Sequence, residues 1–178
     1  MRQIPQRVKV ARGFSLIELL VAVLVMGIGV LGVTALQMVS LQNNRDALQR
    51  ANAVQLAYDM MDRIRANPAG APAGADYSGL GVGDGPPAAA DCIANVCSEA
   101  QMVAFDQASW KCTLGSYNGD GVCQGMRAGG ILPAEDDQPG LPQGDGSVAV
   151  DGAGTIRVSV QWTETNGQVQ NVVIDSQG

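Results

Sequence analysis

The amino-acid sequence predicts an α+β fold: one long N-terminal helix packed on a C-terminal antiparallel sheet, with a disulfide-bearing insertion between them. Three observations predict it. Leu16 to Leu36 is an apolar run broken by one charge, Glu18. The next stretch, Leu41 to Ala66, carries apolar residues at helical spacing. Near the C-terminus, Ile156, Val158, Val160 and Trp162 alternate with Arg157, Ser159 and Gln161, the pattern of a half-buried strand.

The first element begins after a short basic leader, residues 1–13, which holds Arg2, Arg7, Lys9 and Arg12 and no acid. Glu18 is the only charge between Arg12 and Arg45. An apolar helix needs roughly 20 residues to cross a bilayer, and residues 14–40 supply them. A carboxylate in such a run is costly, so an acid kept there calls for a cationic partner. A cut after Gly13 would create one, because Phe14 would then carry a free α-amine. At helical i, i+4 spacing Phe14 and Glu18 are neighbours.

Basic leader, glycine, phenylalanine, then glutamate four residues on, followed by an unbroken apolar helix: these residues resemble the type IV prepilins. The resemblance is carried by Gly13, Phe14 and Glu18 and covers residues 1–66. It implies cleavage by a membrane-embedded prepilin peptidase between Gly13 and Phe14, and N-methylation of Phe14. It implies that Glu18 pairs with a neighbouring subunit's N-terminus during assembly. The physics agrees, since opposite charges attract strongly at low dielectric.

An ordinary secretory signal peptide is the competing reading, with Val33-Thr34-Ala35 offering the small residues a signal peptidase reads and a mature start at Gln37. The apolar stretch is longer than the usual 7–15 residues of such signals and holds Glu18 near its start. Within the run, Gly27, Gly29 and Gly32 match G-x-G-x-x-G literally. No strand precedes them, so a nucleotide loop is excluded. They mark weak helix instead, and pilin helices are thought to loosen here when packed into a filament.

Residues 41–66 continue the helix as an amphipathic segment. Ala53, Ala57, Met60 and Ile64 form a stripe, with Val54, Tyr58 and Met61 beside it; its natural cover is the C-terminal sheet. Asn67-Pro68 ends the helix. Residues 67–146 form a loop-rich insertion. Its first part, 69–90, is rich in Gly, Ala and Pro and reads as a flexible surface loop. Ser98 with Gln101 makes a capping box, so a helix is expected from Glu99 to about Leu114. One of its faces carries Met102, Phe105, Ser109 and Cys112, another Val103, Trp110 and Leu114. Tyr117 to Gly121 reads as a turn, and Glu135-Asp136-Asp137 as a solvated acidic turn.

Four cysteines, Cys92, Cys97, Cys112 and Cys123, allow three pairings. The local one, Cys92 with Cys97 and Cys112 with Cys123, is favoured because each bridge closes a short loop. The spacing lacks the C-x2-C knuckles of a structural metal site, so no metal and no cofactor is expected. Residues 147–178 form the sheet, a meander of three to four strands turning at Asp151-Gly152 and Asn166-Gly167.

Charge and composition narrow the function. Net charge is −6. The leader's four cations account for +4, so the chain from Phe14 onward carries −10, the wrong sign for a nucleic-acid surface. There is no histidine, which removes Ser-His-Asp and Cys-His catalysis. No enzymatic activity is expected.

Cys92, Cys97, Ala100-Gln101-Met102, Phe105-Asp106 and Trp110, together with the closing sheet, resemble the PilV-like minor pilins. That resemblance implies the type IV pilin fold and a role in priming and assembling the pilus, with support of twitching motility and adhesion. It implies partners among other minor pilins, the major pilin, the prepilin peptidase and the inner-membrane assembly platform. The protein would cross the bacterial inner membrane once, with its head in the periplasm, and then join the pilus at the cell surface. A type II secretion pseudopilin shares the same leader signature. A secreted or anchored enzyme on an ordinary signal peptide is the alternative of another class.

Overall fold

The computed structural model describes residues 13–67 and 77–177. The basic leader through Arg12 and residues 68–76 of the Gly/Ala/Pro stretch lie outside the described residues. The chain divides into two compact units, Met1–Arg45 and Asp46–Gly178. Helix α1, Leu16–Ala66, contributes to both.

In the first unit, every described residue from Gly13 to Arg45 is exposed. The helix starts at Leu16 rather than at Phe14. Its first backbone bonds run to Ser15, whose C=O accepts from the N–H of Glu18 (3.0 Å) and of Leu19 (3.3 Å). Serine is a favoured residue at a helix start, so the helical backbone begins just after it. Gly27, Gly29 and Gly32 are helical, with open space around each Cα.

In the second unit the rest of α1 buries Ala53, Ala57, Met60, Met61 and Ile64. Tyr58, assigned to the edge of this stripe by spacing, is instead 52% exposed. It sits past the edge of the buried arc, and Leu56 packs on the core in its place.

Helix α2, Glu99–Leu114, carries the capping box: the N–H of Gln101 donates to Ser98 Oγ and the N–H of Ser98 to Gln101 Oε1. It ends at Gly115, whose φ of +122° suits glycine. Helix α3, Gly121–Ala128, follows after the turn at residues 115–120. Sequence reading stopped at the turn and missed it. Its signal was present: Asp120 caps it by accepting from the N–H of Val122 (2.8 Å), but two glycines in eight residues hide the helical propensity.

The sheet is a three-stranded antiparallel meander, ordered β1 (Asp145–Val150), β2 (Thr155–Thr163), β3 (Val169–Gln177). Both hairpins use three-residue loops ending in a left-handed glycine, Gly154 (φ 83°) and Gly167 (φ 82°). In each, an N–H returns to the residue opening the loop: Gly154 to Asp151 C=O and Gly167 to Glu164 C=O. This is the type I turn with a G1 bulge.

Two cores result. The larger joins Met60, Met61 and Ile64 of α1 to Val103, Trp110 and Leu114 of α2 and to Val148, Ile156, Val158, Val160 and Trp162 of the sheet. The cover of the sheet is therefore shared between α1 and α2. The smaller core joins Phe105, Ala108 and Cys112 of α2 to Cys123 and Met126 of α3. Two separate apolar faces on α2 thus serve two clusters. The middle of the Gly/Ala/Pro stretch, at Tyr77 and Leu80, departs from the surface loop expected of it, whereas residues 81–90 carry no buried residue. Tyr77 is 1% and Leu80 7% exposed, both in the larger core. Leu80 bridges Val148 at the outer edge of β1, so a backbone pairing draws this segment inward.

Candidate assembly site

The first unit presents an apolar rod with one acid near its start. The helix contains an 18-residue window of mean hydropathy 2.7, none of it buried. That is long and apolar enough to cross a membrane. Phe14 is 78% and Leu16 75% exposed. Glu18 lies in the first turn of α1, where the helix dipole favours negative charge. Among the described residues it has no ion-pair partner. Phe14 lies two residues ahead of the helix, so the i, i+4 relation does not position it. What the geometry provides is an exposed acid beside an exposed, non-helical chain segment, Gly13-Phe14-Ser15.

The second unit is held by polar clamps and two disulfides. Cys92 pairs with Cys97 and Cys112 with Cys123. The second bridge is fully buried and ties α2 to α3 within the smaller core. The first closes a surface loop already folded on Asp91, whose Oδ1 accepts from the N–H of Ile93 (2.9 Å) and of Ala94 (3.1 Å).

Two buried ionic clusters were not visible in the sequence. In one, Tyr77 donates its hydroxyl to Asp106 Oδ2 (2.6 Å), while Arg63 Nη1 approaches Asp106 Oδ1 (3.4 Å) and bonds Ser109 Oγ (2.7 Å). Arg63 also pairs with Asp59 one turn away (2.9 Å). Burial, and then the hydrogen bond to Asp106, push the Tyr77 phenol well above its ordinary value. In the other, Lys111 Nζ meets Asp145 Oδ1 (2.6 Å) and Gly81 C=O (2.8 Å). Asp145 further accepts from the N–H of Gly83 (2.7 Å) and the hydroxyl of Tyr117 (3.3 Å). Burial and then Asp145 raise the Tyr117 phenol. The bonds that join separate elements in these clusters span 28 to 62 residues of sequence, which leaves no local signal.

The residues singled out by their run therefore have structural duties. Phe105 fills the smaller core, Asp106 anchors Arg63 and Tyr77, and Trp110 Nε1 donates to Leu56 C=O (2.8 Å), tying α2 to α1. Glu135, Asp136 and Asp137 lie exposed in a turn. Among the described residues no cluster of His, Cys, Asp and Glu could hold a metal ion. A cleft of about 520 Å³ runs between α1 and residues 132–141, lined by Gln55, Leu56, Thr113, Leu132, Pro139 and Leu141 among others; it gathers no catalytic constellation.

Two family models match the chain. The prokaryotic N-terminal methylation motif matches residues 9–34. Type IV pilin Tt1218 matches residues 35–108. No curated protein and no solved structure matches it. The two matches abut and support a type IV prepilin; the helix, three-stranded sheet and disulfides fit the type IV pilin α+β fold.

Proposed function

We propose that this type IV prepilin is cut between Gly13 and Phe14, methylated at the new Phe14 amine, and assembled through Glu18 as a minor, PilV-like pilin. The two family matches support a pilin role, in a pilus or a pseudopilus. Such families are structural rather than enzymatic, and type IV pilins generally assemble with other pilins after processing by a prepilin peptidase. The finer reading rests on one observation above the rest. Glu18 is the sole acid in the membrane-length apolar run of α1 from Leu16 to Leu36, and the described residues around it offer no cation. Desolvating it alone would cost on the order of 2.5–3.5 kcal/mol at a helix centre and less near an end. A methylated amine on the next subunit's Phe14 removes that cost, so membrane insertion favours recruiting a neighbour.

The PilV-like part of the proposal is supported by Cys92, Cys97, Phe105, Asp106 and Trp110. On this reading the protein joins other minor pilins and the major pilin on the inner-membrane platform. It primes the filament and supports twitching motility and adhesion. Its head faces the periplasm before reaching the cell surface.

Mass spectrometry of the mature N-terminus tests the proposal. It should find N-methylated Phe14. A mature chain starting at Gln37 would instead identify an ordinary signal peptide, and an intact leader would remove the proposal altogether. A role in a secretion pseudopilus is separated by which filament the protein copurifies with.

A further inference from the structure

Nearly every cation of the second unit is engaged. Arg63, Arg65, Lys111 and Arg157 are in ion pairs, and Arg127 donates to Cys112 C=O and Asn118 Oδ1. Arg50 is the exception. It is exposed, and among the described residues it has no hydrogen-bond or ion-pair partner.

Unpaired acids gather elsewhere. Glu135, Asp136 and Asp137 are exposed, and their carboxylates have no partner among the described residues. Asp137 lines the cleft of about 520 Å³ beside α1, and so does Gln138. Gln138 Oε1 is buried without a hydrogen-bond partner. Leu56, Leu132 and Leu141 supply the apolar part of the lining. Apolar walls, a free carboxylate and an unpaired acceptor suit a cation rich in N–H groups on an aliphatic stem. Arginine has that form: its guanidinium can bond a carboxylate with two N–H groups and keep others for an amide oxygen, while its stem lies on leucine.

Arg50 cannot reach the cleft of its own chain. The cleft takes Asn52 to Arg63 from α1. Asp59, nine residues beyond Arg50, lies two and a half turns on at about 3.6 residues per turn, on the opposite side of the helix. Asn52 and Gln55 also fall on that far side. The middle of the cleft is about 11 Å further along the helix than Arg50.

We propose that the cleft receives Arg50 of a second copy of this chain, set beside the first with its α1 parallel and advanced by about 11 Å. Arg50 and the cleft lie on opposite flanks of α1, so two parallel helices side by side bring them face to face. No reversal is involved: the N-terminal helices of both copies run the same way, as chains anchored in one membrane must. The contact rests on the pilin reading to that extent only. Charge favours it, because the head is acidic and Arg50 is its one unpaired cation. The contact is heterologous, leaving a free Arg50 at one end and a free cleft at the other, so it extends into a row of copies rather than closing as a dimer.

Cross-linking of two differently tagged full-length chains, co-expressed in membranes, tests this. The four native cysteines are paired, so only introduced thiols react. At the proposed offset Ala47 of the advanced copy comes level with Gln55 of the other, and both residues are exposed. Packed helices sit about 8–10 Å apart, beyond the Cα span of a disulfide, so a short bis-maleimide joins the thiols. Ala47→Cys in one chain and Gln55→Cys in the other should give a cross-linked pair. Either variant alone should give at least tenfold less homodimer. Arg50→Glu in the Ala47→Cys chain should lower the mixed product at least fivefold, and Asp137→Arg in the Gln55→Cys chain should restore most of it. Absence of the mixed product would overturn the contact. So would homodimers as abundant as the mixed product, indifference to Arg50→Glu, or capture of only a different polypeptide at positions 47 and 55. Methylated Phe14 without the mixed product would sink the contact and leave the pilin reading standing.

Discussion

Lys111 and Asp145 form an ion pair, 2.6 Å from Nζ to Oδ1, between side chains only 0% and 8% exposed. The pair joins α2 to the first residue of β1. It also fixes the segment before the sheet through Gly81 C=O and the N–H of Gly83. Lys111 lies over the Tyr117 ring as well, 5.4 Å from its centroid. Every polar atom of the pair is engaged from more than one side, the condition under which a buried ion pair is tolerated.

Removing one partner should therefore be severe. Lys111→Met leaves a buried carboxylate without its cation and should destabilise the second unit by about 3–5 kcal/mol. Adding Asp145→Asn should recover part of the loss. Denaturant titration of the purified chain, followed by tryptophan fluorescence, measures both.

The two disulfides should differ in weight. Reduction or Cys→Ser replacement at Cys112–Cys123 should cost about 3 kcal/mol on the chain-entropy model, against about 2 for the shorter Cys92–Cys97 loop. The difference should widen because Cys112 and Cys123 sit in the smaller core with Phe105 and Met126. Thermal melts of the two pairwise variants rank them.

Gly146 is required by packing. A Cβ there would run into the Trp110 ring and lie 2.8 Å from Ser159 C=O on the neighbouring strand. Gly146→Val should push Trp110 out of its rotamer and cost at least about 1–3 kcal/mol. Fluorescence would report a shifted Trp110 environment; an unchanged melt and spectrum would contradict the packing.

Tyr77 should set an alkaline limit. Its phenol is held neutral by burial and by donating to Asp106. The unfolded chain releases that proton near pH 10, before the folded chain does. The folded state then binds the extra proton, so stability is complete below about pH 10 and is lost as pH rises through the folded value. Tyr77→Phe should flatten this alkaline slope while costing about 1–2 kcal/mol at neutral pH. Stability measured from pH 8 to 11 in both proteins decides it.

Glu18→Ala should leave cleavage intact and lower filament incorporation. Immunoblots of sheared filaments against whole-cell protein give the ratio; normal incorporation would remove Glu18 from the assembly step.

The sequence by itself determined what is periodic or local. The uncharged run after Glu18, the α1 stripe through Ala53, Ala57, Met60 and Ile64, the Ser98–Gln101 capping box and the alternation from Ile156 to Trp162 each follow from short-range geometry. Each appears in the structure at or near its expected place. The exceptions are instructive. Tyr77 and Leu80 fell in a stretch without periodicity, because one isolated strand bridge and one hydroxyl bond draw them inward. α3 was masked by its glycines. The Lys111–Asp145 and Tyr77–Asp106–Arg63 clusters were decided only by tertiary structure. Their partners lie tens of residues apart, and a charge is worth burying only when the fold has already brought its counter-charge and hydrogen bonds to the same place.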